Sequence, residues 1–181
     1  MALLLREIPK DECLRALARE YREVEPSAIE THLTLLRVAG DLLNAFEMHF
    51  ARHHISQGRF GVLIILKLSP AHQLHAAALA EKIGVSRATM TGLLDGLERD
   101  GLVARLGEQV DRRKTTIKLT LSGQRYLERI LPDHFRRVAK VMGELGEGER
   151  KMLTRLLRKV AQGIPALLEA AELERVARVG Q

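Results

Sequence analysis

Positive charge is densest in one short stretch of the chain, DRRKTTIKLT, at residues 111–120. Adjacent cations suit a polyanion, and a planar, weakly hydrated guanidinium such as that of Arg113 fits the narrow, electronegative minor groove of DNA. Asp111 lies two residues earlier, where its carboxylate can hold Arg113 in one rotamer and reduce the side-chain entropy lost on binding. The β-branched residues that follow predict a strand, so the cations form the tip of a ribbon, unless the stretch is an ordinary solvated loop.

The segment before this ribbon has the pattern of a helix-turn-helix. Residues 74–82 predict a short alanine-rich helix, Gly84 predicts a turn with left-handed backbone, and Ser86 is a natural N-cap for a second helix over 87–99. The N-terminal end of that helix favours phosphate, and its hydroxyls and cations face away from its apolar side, although any surface helix has a polar outer face. The apolar side consists of Met90, Leu93, Leu94 and Leu97.

Two glycines, Gly92 and Gly96, lie four residues apart near the exposed side of the second helix. Each costs about 1 kcal/mol relative to alanine in a helix interior, so we expect a close approach of other atoms to justify them. One hypothesis is that they let the helix lie deep against DNA. The other is that they allow a close helix–helix contact within the domain.

Composition limits the class of protein. A length of 181 residues allows one domain or two small modules with a shared core, and 46% hydrophobic with only 3% aromatic residues favours packed helices. An excess of 29 Lys and Arg over 23 Asp and Glu gives a net charge of +6, which favours nucleic acid as the partner. The single cysteine excludes an intramolecular disulfide and a thiolate-rich zinc cage. Without a signal-peptide pattern or a membrane-length apolar run, we expect a soluble, cytoplasmic protein.

The elements around this region extend beyond one small domain. A short helix over 9–23 precedes a long helix that a Ser27–Glu30 capping box begins. The long helix keeps three- and four-residue apolar steps through about seven turns, which is typical of a helix packed across a subunit interface. The remaining predicted elements are a buried helix from residue 59, strands over 102–105 and 115–119, and helices over 124–145 and 149–163.

One long stretch resembles a known family. LAEKIGVSRATMTGLLDGLERDGLVARLGEQVDRRKTTIKLTLSG, residues 79–123, resembles the MarR family of winged-helix regulators, and the likeness covers about residues 28–160. It rests on the joint spacing of Val-Ser before the second helix, Leu-Glu and Asp-Gly-Leu-Val at its end, Asp-Arg-Arg in the ribbon, and Leu-Thr with a glycine after it. The extended N-terminus and the segment ILPDHF are similar to the drug-efflux repressors of the family.

The resemblance implies a mainly α fold with a small two- to three-stranded β wing. A winged helix-turn-helix lobe over 55–120 would lie between dimerisation helices over 1–54 and 121–181, and the homodimer would regulate transcription, most simply as a repressor, from a near-palindromic DNA site. Carried over by position, the DNA contacts are Ser86, Arg87, Thr89 and Thr91 in the major groove and at nearby phosphates, Arg113 in the minor groove with Asp111 orienting it, and Arg112 and Lys114 at the backbone. At the position of Gly92, relatives often carry a long basic side chain. Base-specific recognition from this position therefore does not carry over to this chain.

The resemblance also implies a small-molecule effector. Many relatives release DNA when a small aromatic or amphipathic compound binds between the dimer helices and the winged lobe, a coupling that needs about 1–3 kcal/mol. The residues expected to line such a pocket are Phe46, Phe50, Phe60 and Leu63.

Other chemistries and another function class stay open. Cys13 lies where some relatives carry a peroxide-sensing cysteine, although a lone cysteine is more often inert and partly buried. His49, His53 and His54 suggest a metal, but a closed site needs about four ligands and the helix dipole alone favours histidine near a C-terminus, so we expect neither metal nor cofactor. A winged helix can also be a protein–protein adaptor. Without a nucleophile and paired base or a dinucleotide loop, we do not expect an enzyme.

Overall fold

The computed structural model describes residues 7–23, 25–107 and 115–179, with side chains described as far as residue 169. The chain is mainly helical with one small antiparallel sheet, which confirms the predicted fold class. In chain order the elements are α1 (Asp11–Glu20), α2 (Pro26–Ala51), α3 (Gln57–Leu68), a 3-10 turn (Pro70–His72), β1 (Gln73–His75), α4 (Ala76–Ile83), α5 (Arg87–Arg99), β2 (Val103–Leu106), β3 (Thr116–Leu119), α6 (Leu121–Met142) and α7 (Glu147–Val179).

Two compact units divide the chain, Met1–Arg129 and Ile130–Gln181. The first contains the sheet and the helices from α1 to α5, and α6 begins in the first unit and ends in the second. Among the described residues, no helix combines the length and the apolar character that a membrane span requires.

Strand β3 lies at the centre of the sheet, with β1 and β2 antiparallel to it on either side. Leu74 pairs with Ile117, and Val103 pairs with Leu119. Ile117 and Leu119 are at most 1% exposed, so the central strand is anchored in the core. The predicted two-stranded ribbon is therefore present as β2 and β3.

The prediction of a helix over 74–82 is wrong at its N-terminal end. Gln73–His75 forms the edge strand β1, and α4 begins only at Ala76. The backbone N–H of Ala76 donates to the carbonyl of Thr115 at 3.0 Å, which ties the start of α4 to the base of the ribbon. A strand of three residues, formed by pairing with β3, is too short for an alternating pattern that the sequence could reveal.

The long helix is confirmed as α2, but the capping box predicted at its start is wrong. The helix begins at Pro26, and Glu25 is an N-cap without a side-chain cap. The Ser27 hydroxyl instead donates to the Glu25 carboxylate at 2.9 Å. Proline is favoured at the first helical position because its φ is already helical, so the helix starts before Ser27 can cap it.

The core of the first unit is aliphatic. Helix α3 is buried as predicted, and the Ser56 hydroxyl caps it by accepting a hydrogen bond from the backbone N–H of Arg59 at 3.3 Å. Apolar side chains from five elements lose all or nearly all contact with solvent around this helix, which fixes the positions of α4, α5 and the sheet. The fully buried members include Val62, Leu63, Leu66, Leu79, Leu97, Ile117 and Leu127.

In the second unit, α7 is longer than predicted. It runs from Glu147 to Val179 and continues through Gly163 and Pro165, whereas the sequence predicted an end at Gly163. The carboxylate of Glu149 accepts a hydrogen bond from the backbone N–H of Gly146 at 2.7 Å and caps the helix start. Large apolar side chains along α7 are between 39% and 71% exposed, namely Met152, Leu153, Leu156, Leu157, Val160, Ile164, Leu167 and Leu168.

Candidate nucleic-acid interface

The turn between α4 and α5 is made by Gly84. Its φ is +75°, and its N–H donates to the carbonyls of Ala80 at 2.9 Å and Glu81 at 3.1 Å. Val85 also donates to the Ala80 carbonyl, at 3.0 Å. Because a side chain is strained at this φ, glycine is the residue that suits the position, and the predicted helix-turn-helix is present.

The start of α5 is fixed by its own hydroxyls. Ser86 Oγ accepts a hydrogen bond from the backbone N–H of Thr89 at 3.1 Å, and the two hydroxyl oxygens lie 2.8 Å apart. Thr91 Oγ1 donates to the carbonyl of Arg87 at 3.0 Å. All four residues are exposed, so the structure places the predicted contacts Ser86, Arg87, Thr89 and Thr91 together on the surface at one end of the helix.

Helix α5 has one face in the core and one face in solvent. Met90, Leu94 and Leu97 are at most 2% exposed. On the opposite side, exposed residues follow one another at intervals of four, three and four. This outward ridge consists of Ala88, Gly92, Asp95 and Arg99.

Arg105 of β2 attaches the ribbon to α5. Its Nη2 lies 2.5 Å from Asp95 Oδ1 and its Nη1 lies 2.6 Å from Glu98 Oε2, while its backbone N–H donates to Glu98 Oε1 at 3.2 Å. The hydrogen bond to Asp95 raises the pKa of the Arg105 guanidinium above its usual value, against the desolvation that lowers it. The one positive charge of Arg105 thereby offsets part of the negative charge of two helix carboxylates, which reduces their repulsion of an approaching phosphate. Arg105 was not among the residues predicted from the sequence.

Arg59 of α3 attaches the other end of α5 to the body. Its Nη2 lies 2.6 Å from Asp100 Oδ2 at the C-terminal cap of the helix. The same guanidinium covers Gly96, where an added Cβ would come within 2.6 Å of Nη2. Gly96 is therefore explained by a close contact within the domain, which was one of the two hypotheses for the glycines.

Gly92 has a different environment. Apart from its own helix backbone, a Cβ added there would meet no heavy atom of the described residues within 4 Å. Helix packing in this chain therefore does not require glycine at this position, and the hypothesis of a close approach to DNA stays a prediction for Gly92 alone.

The base of the ribbon is held by Thr120, which the sequence analysis also missed. Its Oγ1 donates to the carbonyl of Gly101 at 2.7 Å and accepts a hydrogen bond from the backbone N–H of Gly123 at 3.0 Å, so it caps α6. A Cβ added at Gly123 would lie 2.2 Å from the carbonyl oxygen of Leu102. The Leu-Thr pair followed by glycine is a helix-capping pattern, which is the signal that could have revealed this role.

The basic residues that the sequence places at the predicted tip of the ribbon are the strongest candidates for DNA contacts by charge. Residues 108–114 lie outside the described part of the chain, and these include Asp111, Arg112, Arg113 and Lys114. Their proposed contacts with the minor groove and the backbone stay predictions. Strand β2 ends at Leu106, and strand β3 begins at Thr116.

Three of the four residues predicted to line an effector pocket lie in the core. Phe50, Phe60 and Leu63 are at most 5% exposed, and the ring centroids of Phe50 and Phe60 are 4.4 Å apart. Phe46 is half-buried at the edge of this cluster, with its ring centroid 6.3 Å from that of Phe50. The structure thus groups these aromatic rings, while their role in binding a compound stays a prediction.

The expectation that Cys13 is partly buried is wrong. Cys13 is exposed on α1, because Leu14 is the residue that this short helix turns into the core. His49 is buried at 3% exposure, whereas His53 presents its carbonyl to the hydroxyl of Tyr126. Burial raises the pKa of that tyrosine hydroxyl above its usual value.

Comparison with known proteins agrees with this geometry. A family model described as MarR family matches residues 55–115, which span the helix-turn-helix and β2 and end just before β3. The HTH-type transcriptional repressor YetL of Bacillus subtilis is 35% identical over 153 residues, which cover 84% of this chain and 92% of that protein.

Solved structures share the fold. Sco3205, a MarR family transcriptional regulator from Streptomyces coelicolor solved in complex with DNA, is 26% identical with a TM-score of 0.69, and the match covers 72% of this chain and 86% of that one. NadR, solved in complex with 4-hydroxyphenylacetate, is 26% identical with a TM-score of 0.59, and covers 71% of this chain and 90% of its own.

Proposed function

This chain belongs to the MarR family of DNA-binding transcriptional regulators, and from that premise we propose that it represses transcription as a homodimer on a near-palindromic operator. A small aromatic or amphipathic compound would control its release from DNA. Operator binding, dimerisation and effector control are each supported by a separate observation.

The proposal of operator binding rests on α5, whose polar side is exposed while its apolar side is buried. The helix buries Met90, Leu94 and Leu97, and its capped N-terminus and polar side stand in solvent. Arg105 and Arg59 brace it from the ribbon and from α3. A helix held in this way can enter the major groove without losing much order on binding, which favours affinity.

The experiment that tests operator binding is genome-wide footprinting of the purified protein on its own genomic DNA, followed by titration of one protected duplex at several salt concentrations. Neutralising several phosphates should lower the affinity by about a thousandfold between roughly 50 and 200 mM salt. A protein–protein adaptor would give no footprint and no salt-dependent DNA affinity, and that result would refute the proposal.

The predicted minor-groove residue can be tested in the same assay. We expect Arg113→Ala to lose all or most footprints, because one inserted guanidinium fixes each half-site contact. Arg158→Ala removes an exposed arginine of α7 and is the matched control for loss of one positive charge. Equal footprints for both variants would contradict the minor-groove role assigned to Arg113. The proposal of DNA binding would be unaffected.

The proposal of a homodimer rests on the exposed side of α7. Its apolar side chains repeat at steps of four and three, which is the spacing of a coiled-coil seam, at Leu153, Leu157, Val160, Ile164 and Leu167. Each is at least 39% exposed in the single chain, and an apolar stripe of this length on a soluble protein marks an association surface. We assign dimerisation to residues 1–54 and 121–181 and DNA binding to residues 55–120.

The proposal of an aromatic effector rests on the ring cluster and on one relative. NadR was solved with 4-hydroxyphenylacetate, and the half-buried ring of Phe46 leads from the surface to Phe50 and Phe60. We expect 4-hydroxyphenylacetate or a similar aromatic acid to lower the DNA affinity of the wild type and to have a smaller effect on Phe46→Ala. Aromatic acids that leave the DNA affinity of the wild type unchanged would refute this compound class.

A further inference from the structure

The outward ridge of α5 is bare over its first two turns. Ala88 carries only a methyl group and Gly92 carries no side chain, and space is open where a Cβ of Gly92 would lie, among the residues that the structure describes. The next position, Asp95, is occupied by its ion pair with Arg105. At its first two positions the ridge therefore presents a methyl group and backbone, and the exposed Arg87 beside it is the long polar side chain of the first turn.

The hydroxyls beside this ridge are already engaged. Thr91 donates its hydroxyl proton to the carbonyl of Arg87, which leaves that oxygen able only to accept. The oxygens of Ser86 and Thr89 lie within hydrogen-bond distance of each other, so one hydroxyl proton of this pair is also in use. The hydroxyls of Ser86, Thr89 and Thr91 therefore have little donor capacity left for bases.

A short ridge changes what the helix can recognise. Guanine in the major groove is most commonly read by a long arginine or lysine side chain, and neither Ala88 nor Gly92 can supply one. The one apolar group that a base presents in that groove is the 5-methyl group of thymine, which alanine contacts well. Without a long side chain to hold it away, the helix can approach close enough for two methyl groups to touch.

We infer that Ala88 selects a thymine in each half-site by contact with its 5-methyl group, with Gly92 leaving the room for that approach. The inference rests on the proposed operator binding and names what α5 reads there. Contact between two methyl groups buries about one methyl equivalent of apolar surface, which corresponds to about a threefold to fivefold change in affinity.

The test replaces single thymines of the footprinted operator by deoxyuridine, which removes only the methyl group and keeps the base pair. Titration of each duplex with the wild type should reveal one position in each half-site where the dissociation constant rises about fourfold. Because both subunits lose the methyl group, Ala88→Gly should bind the unmodified duplex about 15-fold more weakly and should no longer distinguish thymine from uracil at that position.

The matched control is Ala139→Gly, which removes a methyl group from an exposed position of α6 and should keep full sensitivity to uracil. Circular dichroism of both variants confirms that the helices remain folded. If no uracil substitution weakens binding by the wild type, the inference is overturned. It is also overturned if the effect of uracil persists in Ala88→Gly. An operator that responds to 7-deazaguanine alone also overturns it. Absence of any DNA binding by the wild type would refute the proposed function itself.

Discussion

Helices α5 and α7 are both amphipathic, but they differ in how far their apolar sides are buried within the chain. In α5, the stripe of Met90, Leu94 and Leu97 is at most 2% exposed, because α3, α4 and β2 pack around it. In α7, Leu157 and Ile164 of the equivalent stripe are 41% and 49% exposed. One helix finds its hydrophobic partners within the chain, and the other presents the same kind of surface to solvent.

The difference separates two roles that the sequence pattern alone cannot distinguish. A helix whose apolar side is already covered leaves its polar side available for a ligand, and in α5 Asp95 and Asp100 are held by ion pairs with Arg105 and Arg59. A helix whose apolar side is open gains stability only by association, at about 25 cal/mol for each Å² that it buries. We therefore propose that α5 is the binding element and α7 the assembly element.

The largest expected effect comes from charging the open stripe. We expect the double variant Leu157→Glu with Ile164→Glu to be monomeric, because two carboxylates cannot be buried unpaired in a coiled-coil seam. Losing simultaneous contact with two half-sites should lower the operator affinity by about 100-fold or more. Light scattering after size-exclusion chromatography measures the mass, and DNA titration measures the affinity.

Gln162→Glu is the control for this variant, since it adds a carboxylate to the other side of α7. It should stay dimeric and bind the operator as the wild type does. A double variant that keeps the mass of the wild type would break the comparison, because α7 would then not be the assembly element.

The second effect tests how closely the base of the wing is packed. We expect Gly123→Ala to lower the free energy of unfolding by about 2–3 kcal/mol, because its Cβ would overlap the backbone oxygen of Leu102, which cannot rotate away. Gly163→Ala in α7 is the control, since a Cβ there would meet no atom of the described residues within 4 Å. Urea denaturation measures both, and equal stability of the two variants would contradict the difference in packing.

Local signals explain why α5 could be predicted from the sequence. Gly84 and Ser86 define its start, and Asp100 and Gly101 define its end, so its bounds agree with the prediction at 87–99. These signals act through backbone conformation and capping, which depend on residues within four positions. Strand β1 was missed because its evidence is the pairing of Leu74 with Ile117, far along the chain.

The braces of α5 could not be predicted for the same reason. Arg105 bonds to Asp95 over ten residues and across the turn at Gly101, and Arg59 reaches Asp100 over 41 residues. Charge alone does not identify which carboxylate an arginine selects, since that depends on the packing of the elements between them. The role of Gly96 was open for the same reason, because the atom that covers it belongs to α3.

A third, smaller effect tests the brace from the ribbon. We expect Arg105→Ala to lower stability by about 1 kcal/mol, because the three side chains involved are 32% to 59% exposed and water screens them. The operator affinity should fall more at low salt than at high salt, since Asp95 and Glu98 would then repel phosphates. Arg105→Lys keeps one charge and should recover part of both losses. An affinity loss that is independent of salt would contradict the electrostatic explanation.

The smallest effect separates the two glycines of α5. Gly92→Ala should raise the free energy of unfolding by about 0.5–1 kcal/mol, because alanine favours the helix and its Cβ has room. Gly96→Ala has the same propensity gain but displaces the guanidinium of Arg59 and weakens its pair with Asp100, so we expect no net gain. Thermal denaturation and operator titration of both variants distinguish the explanations. If Gly92→Ala is more stable and binds the operator as tightly as the wild type, close approach to DNA does not explain Gly92. If it is more stable but binds several-fold more weakly, the added methyl group occupies space that the DNA requires.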